Sequence, residues 1–474
     1  MKNGFVTKSL FILAIALALM IALWRVEDIV DERHLRQQEA QQNVENSQAG
    51  AQAWVGPVLH SSCTEEWQAV PAEGQDKAPQ LQRREFMLTA VPTQLDVEAS
   101  VAIEPRQRGL FKVNTYVTKA RLQARWPHLG ALLPKAKRTD SHVECSAPKL
   151  MVSLGDARGI RVAQVQVQGG ALAVLSGTGH PAHRRGFHSV LPEALRNDRD
   201  AVQAEVQLEL LGTGSLALAP VAETTQVHLT SNWPHPSFGG RFLPASREVK
   251  HDGFEASWRV SSLATSAAAD FARGATLCSL RGEADLSSQE VSGGTAAPQP
   301  ASCIETFGVS FIDPVNPYVL SDRATKYGML FVGLTFVAVG IVEVLRRRRV
   351  HPVQYLLVGS ALVIFFLLLV SLSEHLAFGL AYGLASFGCI TLLTYYARHM
   401  LGSWGAGLAF GVGACALYGA LYTLLQMEQT ALVMGSLLLF VVLALVMVAT
   451  RKLDWYALPS TLGTLQADDD TGRR

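Results

Sequence analysis

The chain has 474 residues, 49% of them hydrophobic, and its 41 Lys and Arg against 40 Asp and Glu leave a formal net charge of +1. A charge so nearly balanced gives no electrostatic reason to expect nucleic acid as a partner. The apolar residues gather near 9–24 and in the C-terminal third, which argues against a uniformly soluble chain, while the middle is long enough for one or two domains with cores of their own.

Lys2 and Lys8 precede the apolar run SLFILAIALALMIALW at 9–24. No small-x-small cleavage site follows; the run ends in Trp24, Arg25, Val26 and Glu27. The pattern predicts an uncleaved signal anchor, amino terminus inside, with Trp24 at the membrane interface. Residues 25–52 are rich in helix formers and carry no proline. With Val26, Ile29, Val30 and Arg33 on one face, they predict a helical stalk that continues the first span outward and ends near Gly50.

From 53 to 326 the pattern turns to β. Residues 112–126, 159–167, 201–211, 224–233 and 253–262 alternate apolar and polar side chains, so each predicts a strand with one wet and one buried face. Gly-rich turns, at Gly177 and Gly179 and at Gly212 and Gly214, separate strands. Many short strands without helical interludes predict an all-β, antiparallel, sandwich-like domain. Residues 282–302 break the pattern with a low-complexity insert rich in Gly, Ser, Ala and Pro.

Four of the six cysteines, Cys63, Cys145, Cys278 and Cys303, lie in this region. They permit three pairings, and none has the CxxC spacing of a zinc site. Cys278 and Cys303 bracket the insert, which favours a bond between them and a second between Cys63 and Cys145. Cys389 and Cys415 lie in apolar runs and read as small packed side chains.

The membrane returns at 327–345 and 353–373, two apolar runs flanking Arg346, Arg347, Arg348 and Arg349. Each run is long enough to span, and four arginines in a short loop predict a cytoplasmic turn. Further runs at 376–397, 405–425 and 430–449 bring the expected total to six spans, followed by a cytoplasmic tail at 450–474. Lys2, Lys8, the four arginines, Arg398, Arg451 and Lys452 all fall on one side. The opposite short loops, around Glu374 and His375 and at 426–429, carry no Lys or Arg. Both termini are therefore expected in the cytoplasm and residues 25–326 outside, which in a bacterium is the periplasm.

Catalytic motifs such as GxSxG, HExxH, Walker A and the dinucleotide fingerprint are absent where their context would require them. LSGTGH at 175–180 reads as a turn. SNWPHPSFGGRFLP at 231–244 is the densest polar and aromatic stretch of the β region. Two prolines hold Trp233 and His235 extended. One reading is a rigid loop presenting Asn232, Trp233, His235 and Phe238 to a ligand or partner. The other is a strand end with Trp233 packed and Asn232 bonded to backbone, which turn chemistry alone would explain. GDARG at 155–159 reads as a turn with a local Asp156–Arg158 ion pair.

SDRATKYG at 321–328 reads as a helix start capped by Ser321 or Asp322, with Arg323, Lys326 and Tyr327 in the headgroup layer. Asp454, Trp455 and Tyr456 read as an anchor on the other side. Glu343 stands four residues before Arg347, a spacing that suits a helix pair. Glu374 and His375, at an outside helix end, read either as solvated groups or as a polar site at the mouth of the bundle.

SLGDARGI, LTSNWPHPSFGGRFLPASREV, SDRATKYGMLFVGLTFVAVGIVEVL, HPVQYLLVGSALVIFFLLLVSLSEH and LDWYAL resemble the CreD family of bacterial inner-membrane proteins. The likeness runs from the first anchor to the last span and leaves out the insert at 282–302 and the acidic tail after Leu465. It implies association with cell-envelope integrity, a two-component regulon responding to carbon source, colicin tolerance and the envelope response to β-lactams. It implies no catalytic activity and no cofactor.

The expected protein is thus a six-span helical bundle with a large periplasmic β domain between spans one and two. Its expected role is non-enzymatic support of the envelope under stress, by binding an envelope protein or lipid in addition to the bilayer it sits in. The rival readings are a transporter or flippase of an envelope lipid or precursor, and a periplasmic hydrolase using His235.

Overall fold

A computed structural model describes residues 3–69, 80–192, 201–278, 280, 303–311, 313, 317–346, 350–427 and 431–451. The insert at 282–302, Lys2, Arg347, Arg348, Arg349, Lys452, the anchor at 454–456 and the acidic tail lie outside the described residues. The chain divides into two compact units, Met1–Gln38 with Val315–Arg474, and Glu39–Pro314.

The second unit is a sandwich of two sheets. One runs β14 (Pro236–Gly240), β17 (Phe307–Phe311), β12 (Ser215–Leu218), β1 (Gln52–Ala69), β6 (Lys149–Leu154), β10 (Gly186–Val190) and β9 (Leu175–Ser176). In it β2 (Gln80–Ala90) and β5 (His142–Cys145) also pair with β1. The other runs β15 (Ser246–Lys250), β16 (Gly253–Ser261), β13 (Thr224–Ser231), β3 (Gln94–Arg108), β4 (Phe111–Trp126), β11 (Val202–Thr213), β7 (Ile160–Val167) and β8 (Gly170–Leu172).

Alternation sets the core. Along β11 every second residue from Val202 to Leu210 is buried, and β3 and β4 follow the same rule. Their inward side chains join Trp54, Trp126, Trp258 and Phe307 in one core between the sheets. The sandwich departs from the antiparallel expectation in two places. β1 pairs with β12 and β13 with β3 in parallel, because each partner returns through a long crossover rather than a hairpin.

The sheet built on β1 is also covered on its other face. There Val55, Val58 and Met151 pack with Ala267 and Phe271 of a short helix, α2 (Ala267–Ala272). β1 therefore has buried residues on both faces.

The first unit is helical: the part of α1 (Asn3–Ser47) up to Gln38, whose end belongs to the second unit, then α3 (Pro317–Lys326), α4 (Gly328–Arg346), α5 (Pro352–Ser373), α6 (Phe378–Leu401), α7 (Trp404–Gln426) and α8 (Ala431–Thr450). Among the described residues, four helices are long and apolar enough to cross a membrane. The pair α3 and α4, bent by 44°, makes a fifth if taken as one span. The apolar stretch Val433–Val448 of α8 is shorter.

The helix expected to start at Ser321 or Asp322 starts instead at Pro317. Proline has no N–H to satisfy and suits a first turn, so it takes the helix start. Ser321 is buried inside the helix, and Asp322 accepts from Lys326 one turn on at 2.7 Å. The bundle core is aromatic: Phe331, Phe365, Phe366, Tyr382 and Tyr418 meet edge to face. Gly359 lets α1 approach α5, since a Cβ there would lie 2.1 Å from Leu19.

Candidate functional site

The stretch at 231–240 carries both of its readings, on different residues. Asn232 Oδ1 accepts from the Ile103 amide at 2.9 Å, fixing the turn to β3. Trp233 is half-buried against the sandwich core and donates from Nε1 to the His235 carbonyl at 2.9 Å. Phe238 packs edge-on against Phe254 and Trp258. His235 is exposed.

Of the four, His235 and Phe238 join Pro234, Pro236, Ser237, Arg247 and Val249 in lining a pocket of about 390 Å³, whereas Asn232 and Trp233 are outside its lining. It lies where the edge strands of the two sheets, β14 and β15, come together. Strand alternation puts Arg247 and Val249 on one face of β15, while Glu248 pairs with Lys250 on the other. Among the described residues the lining therefore combines a rigid apolar wall, one guanidinium and one imidazole, and no carboxylate.

GDARG does more than turn the chain. Arg158 holds Asp156 through a two-pronged ion pair and donates to the carbonyls of Glu45 and Asn46 at the end of α1. Helix-end carbonyls lack partners inside the helix, and an arginine there satisfies them and suits the dipole. Asp156 Oδ2 also accepts from the Gly50 amide at 3.2 Å. Gln52 donates from Nε2 to the carbonyls of Asp156 and Leu211, both at 2.9 Å. The Arg158 guanidinium holds the Asp156 carboxyl below the usual carboxylate range, and Asp156 in turn raises Arg158.

A cluster of three histidines lies on the α2 side of the sheet, and the sequence reading passed over it. His60 on β1 is 1% exposed, and His180 and His183, in the loop between β9 and β10, are each 6% exposed. The rings of His60 and His180 meet edge to face at 5.7 Å, His180 and His183 lie 4.9 Å apart, and His183 stacks on Phe271 at 4.5 Å. Burial lowers all three imidazoles, and with His183 and His60 beside it His180 is brought down to about 4. Among the described residues no group of three or more His, Cys, Asp or Glu is placed to hold a metal ion. The signal for the cluster was HPAH at 180–183, two histidines three apart beside a Gly-rich turn.

The profile of the family described as "Inner membrane protein CreD" matches residues 4–456. The Inner membrane protein CreD of Escherichia coli (strain K12) is 32% identical over 458 residues, covering 96% of this chain and 95% of that protein. The chain belongs to the CreD family. It is thus an inner membrane protein, as the family resemblance implied, with several apolar helices and a large β-sheet domain. Among solved structures, the M1 zinc metallopeptidase from Deinococcus radiodurans aligns at 12% identity and a TM-score of 0.19. A mutant of the same enzyme aligns at 13% and 0.20, and in both cases the match spans 35% of this chain and 38% of that one. Likeness at that level carries no argument.

In the helical unit of this CreD-family chain, Glu343 takes one partner from the far end of the chain and two from just beyond its own helix. Lys8 of α1 pairs with it, Tyr355 donates to it at 2.9 Å, and so does the Val350 amide at 3.2 Å. Arg347, the partner the spacing suggested, lies outside the described residues, as do Arg348 and Arg349, and only the backbone of Arg346 is described. Glu374 is largely buried and faces Arg33 of α1 at 3.4 Å, while the neighbouring His375 is exposed. Lys8 and Arg33 stand 25 residues apart, about 37 Å of helix. The two pairs thus hold α1 at points separated by roughly a bilayer's hydrocarbon thickness or slightly more.

In the β unit, Cys63 is bonded to Cys145 and Cys278 to Cys303. Cys63 and Cys145 face each other in register across β1 and β5. Cys389 is buried and Cys415 exposed, both with free thiols.

Proposed function

We propose that this protein supports the integrity of the bacterial envelope by binding an envelope partner through the pocket at 234–238, 247 and 249 of its β domain. The pocket carries the proposal: prolines fix an apolar wall, and Arg247 supplies a cation at its rim. A ligand that fits presents an apolar body and an acidic group, whether on an envelope protein or on a lipid.

In this reading the chain crosses the inner membrane six times, both termini are cytoplasmic and residues 25–326 are periplasmic. The distribution of Lys and Arg among the short loops supports that orientation. The bundle serves as anchor. Its facing side chains are packed aromatics and aliphatics, which favours an anchor over a transport path for a polar headgroup. The pocket holds His235 and Ser237 with no carboxylate among the described residues of its lining, which favours binding over hydrolysis.

The test is complementation of a strain lacking the gene, scored by survival in detergent and β-lactam. Two forms are compared: the whole chain, and one ending after residue 327 that keeps only the first span. Rescue by the short form is expected; rescue by the whole chain alone, with both forms folded and inserted, would make the bundle the working part.

A further inference from the structure

We infer that His60, His180 and His183 form an acid-responsive latch that pins the β9–β10 loop and helix α2 to the sheet at neutral pH and releases them on acidification.

The hydrogen bonds dictate where each proton sits. His180 Nδ1 accepts from two backbone amides, those of Ala182 and His183, both at 3.3 Å. That nitrogen is therefore bare and the ring neutral. A proton can be added only at Nδ1, where it would displace both amides and undo the turn that shapes the loop. His60 Nε2 lies 2.9 Å from the Thr178 carbonyl oxygen, so it carries the proton. Its Nδ1 is buried with no hydrogen-bond partner among the described residues, and a charge placed there would be unsolvated. His183 Nε2 faces the Phe271 carbonyl of α2 at 3.4 Å while its ring stacks on Phe271.

The surroundings oppose protonation too. Lys149 of β6 stands opposite His60 in register and acts on it as a positive charge, and His188 of β10 lies on the same side. In the loop, Arg184 donates to the Pro181 carbonyl and Arg185 to that of Gly155. On α2 the Asp270 carboxylate is taken by Ser266 and Arg273. Among the described residues no carboxylate hydrogen-bonds any of the three rings. One proton on this cluster therefore raises the cost of the next.

What the latch holds is specific. Thr178, through its carbonyl and hydroxyl, links His60 to His183, and Gly274 at the end of α2 lies close against Ala182. Release of α2 uncovers the apolar face formed by Val55, Val58 and Met151. Because the imidazoles are held below their unfolded value, the latch is at full strength above about pH 6.5. It weakens as pH falls toward the value of about 4 held by His180.

The experiment is hydrogen–deuterium exchange of the full-length protein in detergent micelles at pH 7.5 and pH 5.0, with rates divided by intrinsic chemical exchange. From His180 alone, local opening of 175–188 and 265–277 should rise about 30-fold at pH 5.0. Strands β3 and β4 should stay unchanged. His180→Asn places a neutral acceptor where Nδ1 was and should flatten this dependence. Equal protection of the latch at both pH values in the wild type, or an undiminished response in the variant, would overturn the inference. Should the variant not fold, imidazole C2-hydrogen exchange in the wild type decides. A His180 ring that titrates well below 6.5 supports the latch, and one that titrates near 6.5 refutes it.

Discussion

Replacing Gly159 with alanine perturbs the junction where the end of α1 is tied to the sandwich. A Cβ at this buried glycine would lie 2.2 Å from the Leu211 carbonyl oxygen, 2.5 Å from Gln52 Nε2 and 3.2 Å from Ala49 Cβ. The Leu211 oxygen is backbone of β11 and cannot rotate away, so the 157–159 turn must move off β11 by about an ångström, carrying Arg158 and its hold on the end of α1 with it, an overpacking cost of about 1–3 kcal/mol. The shift also breaks the two Gln52 hydrogen bonds, about 1 kcal/mol each. Alanine returns about 0.5–1 kcal/mol by restricting the unfolded chain. The net cost is about 3 kcal/mol, or roughly a hundredfold in local opening. Gly50→Ala is the control, because among the described residues nothing lies within 4 Å of its Cβ and its amide still reaches Asp156. Hydrogen–deuterium exchange over residues 44–52 of the full chain in detergent reads the difference. Equal protection in Gly159→Ala and Gly50→Ala would refute the account of the junction.

The remaining predictions use the same full-length protein. Asp156 is depressed by Arg158, so its contribution to the junction is complete above the unfolded carboxylate value near 4 and is lost as pH falls below it. Protection of 44–52 should therefore drop between pH 5 and pH 3 in the wild type, with a smaller drop in Asp156→Asn; equal drops would discount the ion pair. Phe238→Ala should cost about 3 kcal/mol through lost packing on Phe254 and Trp258, whereas His235→Ala should stay within about 0.5 kcal/mol, as judged by denaturant unfolding of the β domain. Removing the Cys63–Cys145 bond, which joins residues 82 apart, should destabilise the domain by about 4 kcal/mol; non-reducing peptide mapping that finds either cysteine free would contradict the pairing. Glu343→Leu leaves Lys8 and Tyr355 without their acceptor and should lower the thermal stability of the bundle in detergent by more than Glu343→Gln does.

The parts of this fold that were legible in the sequence are those written in local period. β4, β11, β13 and β16 alternate cleanly because each has one face toward the core, and they were read within a residue or two. β1 was missed because its residues are buried on both sides, which erases alternation. Helix α2, six residues long, is too short to show a helical period. Residues that act across the chain were hidden for a different reason. Arg158 reads as a partner of Asp156 two residues away, yet it also reaches carbonyls 112 and 113 residues distant. His60 meets the Thr178 carbonyl across 118 residues, and Lys8 meets Glu343 across 335. Such contacts are set by strand order and helix packing, and spacing along the chain does not encode them. The stretch at 231–244 was legible as a rigid polar and aromatic turn. Which of its residues point outward depended on β14 lying at a sheet edge beside β15.

The measurement that tests the central claim most directly is complementation by full-length protein carrying Arg247→Glu together with Val249→Asp. Both residues line the pocket and are exposed, so the domain should fold with an unchanged unfolding midpoint. The reversed charge in the binding wall should abolish rescue of survival in detergent and β-lactam, while the same pair of substitutions at exposed Arg161 and Val162 of β7 should rescue fully. Full rescue by the folded pocket variant would contradict the proposal that this pocket is where the protein meets its partner.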